Sequence, residues 1–149
     1  MSPSKKDKIA YVTALAEAKN NQNIARALEI YHEDIEMITP SFSAHARGRQ
    51  QTGQQLEYFF RLFPDYSVRV SRYEEDGDVL MAFGFVSVTP HTVKGAAQLV
   101  EVPASMAFDF KDNAISREIF NIDLALVAKR AGINLDELLG VKEPPSQPS

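Results

Sequence analysis

The chain has 149 residues, a formal net charge of −4 and no cysteine. That length is the modal size of one domain and lets folding bury about 70% of the unfolded surface. Apolar residues at 44% and charged ones at 24% exclude disorder as the default state, and the missing cysteines exclude disulfides, thiol catalysis and thiolate metal sites.

No basic stripe dominates, so nucleic acid is not an expected partner. His32, His45 and His91 lie far apart, without the HExxH type of spacing, and no metal site is expected. The apolar runs fall short of the roughly 20 residues that cross a bilayer. Lys5, Lys6 and Lys8 have no apolar stretch behind them, so no signal peptide is read. The expectation is a cytoplasmic protein that meets no membrane.

Residues 5–20 place Ile9, Val12, Leu15 and Ala16 at helical spacing. "NNQN" interrupts this helix, and Asn23 can cap a second, "IARALEIYH". "DIEMITP" is a short β-rich run stopped by Pro40, and "SFSAHARG" has the composition of a loop. "RQQTGQQLEYFFRLFP" predicts a third helix, with Leu56, Phe59, Phe60 and Phe63 on one side. The period then changes to that of strands. "YSVRVSRYEED" alternates, Asp76-Gly77 is a turn, and "DVLMAFGFVSVT" is apolar on both parities. "AQLVEVPASMAFDF" is another strand, in which Pro103 suggests a bulge or an edge. "ISREIFNI" is the last strand, running into the helix "DLALVAKRA" that Gly132 ends. "LDELLG" can form a short terminal helix, and 141–149 read as a disordered tail after a single domain over 1–140. Helices segregated from an antiparallel sheet make an α+β domain, here a curved sheet closed by helices into a cone.

Three stretches carry a likeness. "ALEIYHEDIEMITP", "RGRQQTGQQLEYFFRLFPDYSVRV" and "FKDNAISREIFNIDLALVAKRAGI" resemble, in order and spacing, the nuclear transport factor 2-like superfamily and within it the SnoaL-like polyketide cyclases. The likeness covers about residues 8–133. It implies a cone-shaped α+β fold, with three N-terminal helices packed on a curved antiparallel sheet. There are departures. The cyclases usually carry Trp four residues before their Asp, where Ile119 stands here, and their Asp-Gly-Lys-Ile turn reads Asp112-Asn113-Ala114-Ile115. The ketosteroid isomerase roles fall on Thr39, Ala104 and Leu15, which cannot fill them. Epoxide hydrolases of this fold use an Arg-x-Asp pair, and no Arg stands two residues before Glu101.

Asp123 matches the acid/base Asp of the cyclases. That role needs a carboxylate in an apolar pocket, where desolvation raises its pKa. Asp is equally a helix N-cap, and the positive helix end acts the other way. Asn121 shares the parity of Asp123 and could hold a substrate carbonyl. Glu101 is a second acid/base candidate if its face lines the cavity. Arg117 and Glu118 point to opposite faces, so at most one enters the pocket. His45, in the "SFSAHARG" loop near the cone mouth, could shuttle protons. Tyr58 is a further substrate-binding candidate, beside aromatics that otherwise make core.

The resemblance implies a cofactor-free isomerase or cyclase acting on a small apolar carbonyl compound. A non-catalytic small-molecule-binding or interaction module is the alternative. An epoxide hydrolase- or dehydratase-like enzyme is a further one. The doubly apolar strand predicts a homodimer built through the sheet.

Overall fold

The computed structural model describes residues 3–142, so the expected tail lies outside the described residues from residue 143 onward. Helix α1 spans Lys5–Asn20 and starts where the Ser4 side chain accepts from the Asp7 N–H at 3.1 Å. Helix α2 is Ile24–Ile30, capped by Asn23 through the Arg26 N–H. It is shorter than its sequence period suggested, because Tyr31 and His32 already belong to strand β1, Tyr31–Thr39. A 3-10 turn at Pro40–Phe42 leads to a short strand β2, Ala44–Arg47. Its composition reads as loop, and pairing with β1 makes it a strand. Helix α3 follows at Gly48–Leu62.

The remaining strands are β3 (Ser67–Asp76), β4 (Val79–Val88), a small hairpin β5–β6 (His91–Thr92 and Gly95–Ala96), β7 (Val100–Lys111) and β8 (Ala114–Ile122). Helices α4 (Leu124–Ala131) and α5 (Leu135–Lys142) complete the described chain. The main sheet runs β2-β1-β8-β7-β4-β3. Every neighbour pair in it is antiparallel except β1 with β8, which is parallel. The fold is mixed α+β, a curved sheet with helices packed into its concave side.

Curvature has local causes. The β3–β4 register shifts between Val70 and Arg72, and the β7–β8 register between Asp109 and Phe110. At the first shift the β3 backbone lies over Gly84, where an added Cβ would stand 2.0 Å from the Arg69 carbonyl oxygen. Pro103 sits inside a continuous β4–β7 register rather than at a bulge. Pairing of β7 with β8 begins only at Ala104, so the side of β7 toward β8 is open at the proline.

Inward residues of β4, β7 and β8 (Leu80, Val86, Val102, Phe108, Phe120, Ile122) form the core with Val12 and Leu15 of α1 and Leu56, Phe60 and Phe63 around α3. Phe59 sits edge-on to Phe63 at 5.1 Å and to Phe120 at 5.9 Å. On the outer face, Met81, Phe83 and Phe85 are half-buried, and among the described residues no second layer covers them. Arg69 and Arg72 of β3 lie over Phe85 and Phe83 at 5.0 and 4.8 Å. Among the described residues no helix is long and apolar enough to cross a membrane.

Candidate functional site

The buried stripe of α1 runs through Lys8, Val12, Leu15 and Lys19. Lysines occupy both ends of a stripe whose middle is aliphatic. On β8, Glu118 shares the inward parity of Phe120 and Ile122 and is 0% exposed. Lys19 Nζ meets Glu118 Oε2 at 2.9 Å and Oε1 at 3.1 Å. The Tyr31 hydroxyl also donates to Glu118 Oε1. Two donors thus satisfy a carboxylate that burial alone would penalise. Burial, and then the negative charge of Glu118, push the phenols of Tyr31 and Tyr66 far above the ordinary tyrosine range, so both stay protonated.

Lys19 and Tyr66 of this cluster reach a cavity inside the cone, lined also by Met37, Thr39, Gln55, Leu56, Phe59 and Phe120. Its free volume is about 20 Å³, room for roughly one water molecule. A void of about 10 Å³ lies deeper, between Glu118, Lys19 and Tyr66. Another of about 10 Å³ lies outward, between Phe42, Gln55, Tyr58 and Phe59. Beyond it a depression of about 510 Å³ opens at the surface beside His45, Gln51, Tyr58 and Arg61. The voids share walls: Lys19 and Tyr66, then Gln55 and Phe59, then Gln55 and Tyr58.

The candidates read from the sequence lie elsewhere or at the mouth. Asp123 is exposed at the N-cap of α4, where its Oδ1 accepts from the Leu126 N–H at 3.1 Å. Asn121 is exposed on the same outer face of the sheet, and the two line an open depression of about 650 Å³ with Ser71, Arg72, Phe83 and Pro103. Glu101 also faces outward, 3.5 Å from Arg69 Nη2, and does not line the cavity. His45 bonds Glu36 Oε2 through Nε2 at 2.6 Å. Glu36 in turn has Arg47 and Arg117 each at 3.5 Å, and its carboxyl is held below the usual range, first by the His45 hydrogen bond. Tyr58 is half-buried at the mouth, with the Arg61 guanidinium 5.4 Å from its ring centre. Of the Arg117 and Glu118 pair, Glu118 is the one that enters. No group of three or more potential metal ligands occurs among the described residues.

Sequence reasoning missed Lys19 and singled out Asp123 over Glu118. The signals were present. Lys19 stands three helical turns after Lys8, on the line of Val12 and Leu15. Glu118 has the parity of Phe120 and Ile122. Each looks like a charge on an apolar face, and only together do they make a pair.

A conical fold with a polar cluster buried in its hollow defines the class of protein; comparison places the chain within that class. A sequence model of the SnoaL-like domain matches residues 12–118, and the chain belongs to that family. No curated protein matches the sequence. Solved structures share the fold at low identity. A Catenulispora acidiphila protein of ketosteroid isomerase-like fold, in complex with trimethylamine, superposes with a TM-score of 0.77 at 18% identity, over 91% of this chain and 98% of its own. A Jannaschia protein named as a candidate SnoaL-like polyketide cyclase gives 0.74 at 18%, over 97% and 98%. A candidate polyketide cyclase of Xanthomonas campestris gives 0.75 at 19%, over 85% and 98%.

Proposed function

We propose that the protein is a cofactor-free enzyme of the isomerase or cyclase class, moving a proton on a small, largely apolar carbonyl compound inside the cone. One observation carries this reading: Glu118, a carboxylate wholly buried against Tyr31 and Lys19, whose ammonium end also lines an aromatic cavity. A carboxylate held away from water beside a bound ketone is placed to take a proton alpha to its carbonyl. The aromatic walls would fold the substrate and exclude water, adding proximity. Membership of the SnoaL-like family supports the class.

The other placement of the same chemistry puts the acid/base role on Asp123 in the outer depression, with Asn121 as the carbonyl donor. Side-by-side assays of Glu118→Gln and Asp123→Asn separate them. The readout is exchange of alpha protons for deuterium in a panel of polyketide-like and cyclic ketones. The expected result is a loss of roughly 100-fold or more for Glu118→Gln and near-native exchange for Asp123→Asn. The reverse pattern moves the chemistry to Asp123. Native exchange in both variants leaves a non-catalytic small-molecule-binding module, the reading that the small free volume of about 20 Å³ favours.

We propose further that two copies pair through the outer sheet face. Met81, Phe83, Phe85, Ile38 and Ile119 make this face apolar beyond what Arg69 and Arg72 cover.

A further inference from the structure

The main sheet ends in a strand whose outer edge is open. Among the described residues, β2 (Ala44–Arg47) pairs only with β1. The register sets Glu36 opposite Arg47, Met37 opposite Ala46 and Ile38 opposite His45. The Arg47 N–H donates to Gln51 Oε1 at 2.9 Å, so it points away from β1. In an antiparallel ladder, alternate residues turn their main-chain groups to opposite edges. His45, two residues before Arg47, therefore turns its N–H and C=O to the open edge, while Ala44 and Ala46 bond β1. The depression of about 510 Å³ runs along this edge. Strand β2 forms one bank, and Gln51, Gln54, Gln55, Tyr58 and Arg61 of α3 form the other.

The helical bank has the chemistry of a second strand edge. Its glutamines recur three and four residues apart, on one face of α3. A glutamine amide both donates and accepts, as a peptide backbone does. Gln51 already acts in this way, taking the Arg47 N–H as the carbonyl of a neighbouring strand would. A chain extended in the groove meets main-chain groups of His45 on one side and amides on the other. A groove beside an open sheet edge is where peptides add as a strand. Four edge residues span about 13 Å, the length of four or so residues of such a peptide.

The charges select the chain that fits. Arg61 lies over the Tyr58 ring at 5.4 Å and makes no ion pair among the described residues. His45 and Arg47 share the one carboxylate of Glu36 with Arg117. The rim of the groove therefore carries surplus positive charge. Two copies of β2 set edge to edge would bring these cations together, and like charges across a strand pair repel. An acidic segment meets no such opposition.

We propose that the edge of β2 and the glutamine face of α3 form a docking groove for an acidic, extended segment of a partner protein, which joins the sheet as one more strand. The segment's backbone bonds the His45 N–H and C=O, its far edge bonds the glutamine amides, and an acidic side chain pairs with Arg61. The proposal is independent of the chemistry assigned to the inside of the cone.

Three fluorescein-labelled peptides test it on the full chain by anisotropy titration. The first is Gly-Ser-Glu-Val-Phe-Val-Glu-Ser-Gly. The second has lysine for both glutamates. The third is the first with its three central residues N-methylated, which removes their backbone donors. Wild type should bind the acidic peptide at least about tenfold more tightly than either of the others, the scale of one or two hydrogen bonds. Arg61→Glu should abolish the preference for acid over lysine. His45→Pro removes the N–H at the open edge, where a proline leaves the pairing with β1 intact, and should weaken the acidic peptide about tenfold or more. His45→Ala keeps that N–H and should bind within about threefold of wild type. Should His45→Pro not fold, the N-methylated peptide decides. Equal binding of the N-methylated and parent peptides overturns strand addition, as does equal weakening by His45→Ala and His45→Pro. Equal binding of the lysine peptide by wild type, or an unchanged preference in Arg61→Glu, overturns the selection of acid. Binding of no peptide at millimolar concentration overturns the groove. Sedimentation adds one more outcome: a wild-type dimer that His45→Pro dissociates puts a second copy on the edge and overturns the partner reading.

Discussion

Lys19 Nζ lies 2.9 Å from Glu118 Oε2, joining the last turn of α1 to β8 across 99 residues of sequence. Both side chains are almost wholly buried, at 9% and 1% exposure. Removing one partner of such a pair strands the other charge, at a cost of about 3–5 kcal/mol, whereas replacing both by apolar groups is often neutral. Lys19→Met should therefore lose about 3–5 kcal/mol in urea unfolding. The double variant Lys19→Met/Glu118→Leu should recover most of it. A loss below about 1 kcal/mol in the single variant would mean that water reaches the pair.

The raised tyrosines give a pH signature. Of the five tyrosines, Tyr31 and Tyr66 are held protonated by burial and the nearby Glu118. Their folded pKa values lie above the unfolded value of about 10. The stability they contribute is present below that pH and is lost as pH rises through and beyond it. Phenolate absorbance should leave these two silent in the native protein, releasing them together with unfolding. Phenylalanine at both positions should move the alkaline unfolding midpoint upward. Titration of all five before any loss of structure would contradict the assignment.

Asp123 caps α4 through the Leu126 N–H. Asp123→Ala should cost about 1 kcal/mol in thermal or urea unfolding, and Asp123→Asn almost nothing, because Asn caps about as well. If Asp123→Asn instead removes activity while stability stays native, the residue has a second role that its cap geometry does not reveal.

Gly84 has no room for a side chain. Its added Cβ would meet backbone atoms of Arg69 and Val70 at 2.0 to 2.9 Å. Backbone cannot rotate away as a side-chain tip can, so Gly84→Ala should destabilise by roughly 3 kcal/mol or more and loosen the register between β3 and β4. A stability change under about 1 kcal/mol would show that the β3 backbone yields freely.

The outer sheet face predicts the oligomeric state. Sedimentation at micromolar concentration should give a dimer for the wild type. A charge placed in the apolar stripe, as in Phe83→Glu, should give a folded monomer. A wild-type monomer removes the proposed interface.

How far the sequence reaches depends on the range of the interactions. Hydrophobic period, caps and turns act over a few residues, and they placed α1, α3, the long strands and the Gly132 stop without any structure, while leaving Asp123 as either a cap or an acid/base. The alternation in "ISREIFNI" already said that at most one of Arg117 and Glu118 enters the cone. Three things were decided elsewhere. The "SFSAHARG" segment became the strand β2 because β1 offered it an edge. Pro103 fitted an interior strand because β8 ends beside it. Asp123 fell on the outer face because strand parity carries it there with Asn121, while the same parity sends Glu118 inward. Whether a buried charge is tolerable depends on its partner, and the partner of Glu118 stands 99 residues earlier on another element. Local chemistry therefore determined most of the elements and which side chains of a strand share a face. Only the closure of the sheet over α1 brought Lys19, Glu118, Tyr31 and Tyr66 to one wall, because burial and pairing are properties of the folded whole.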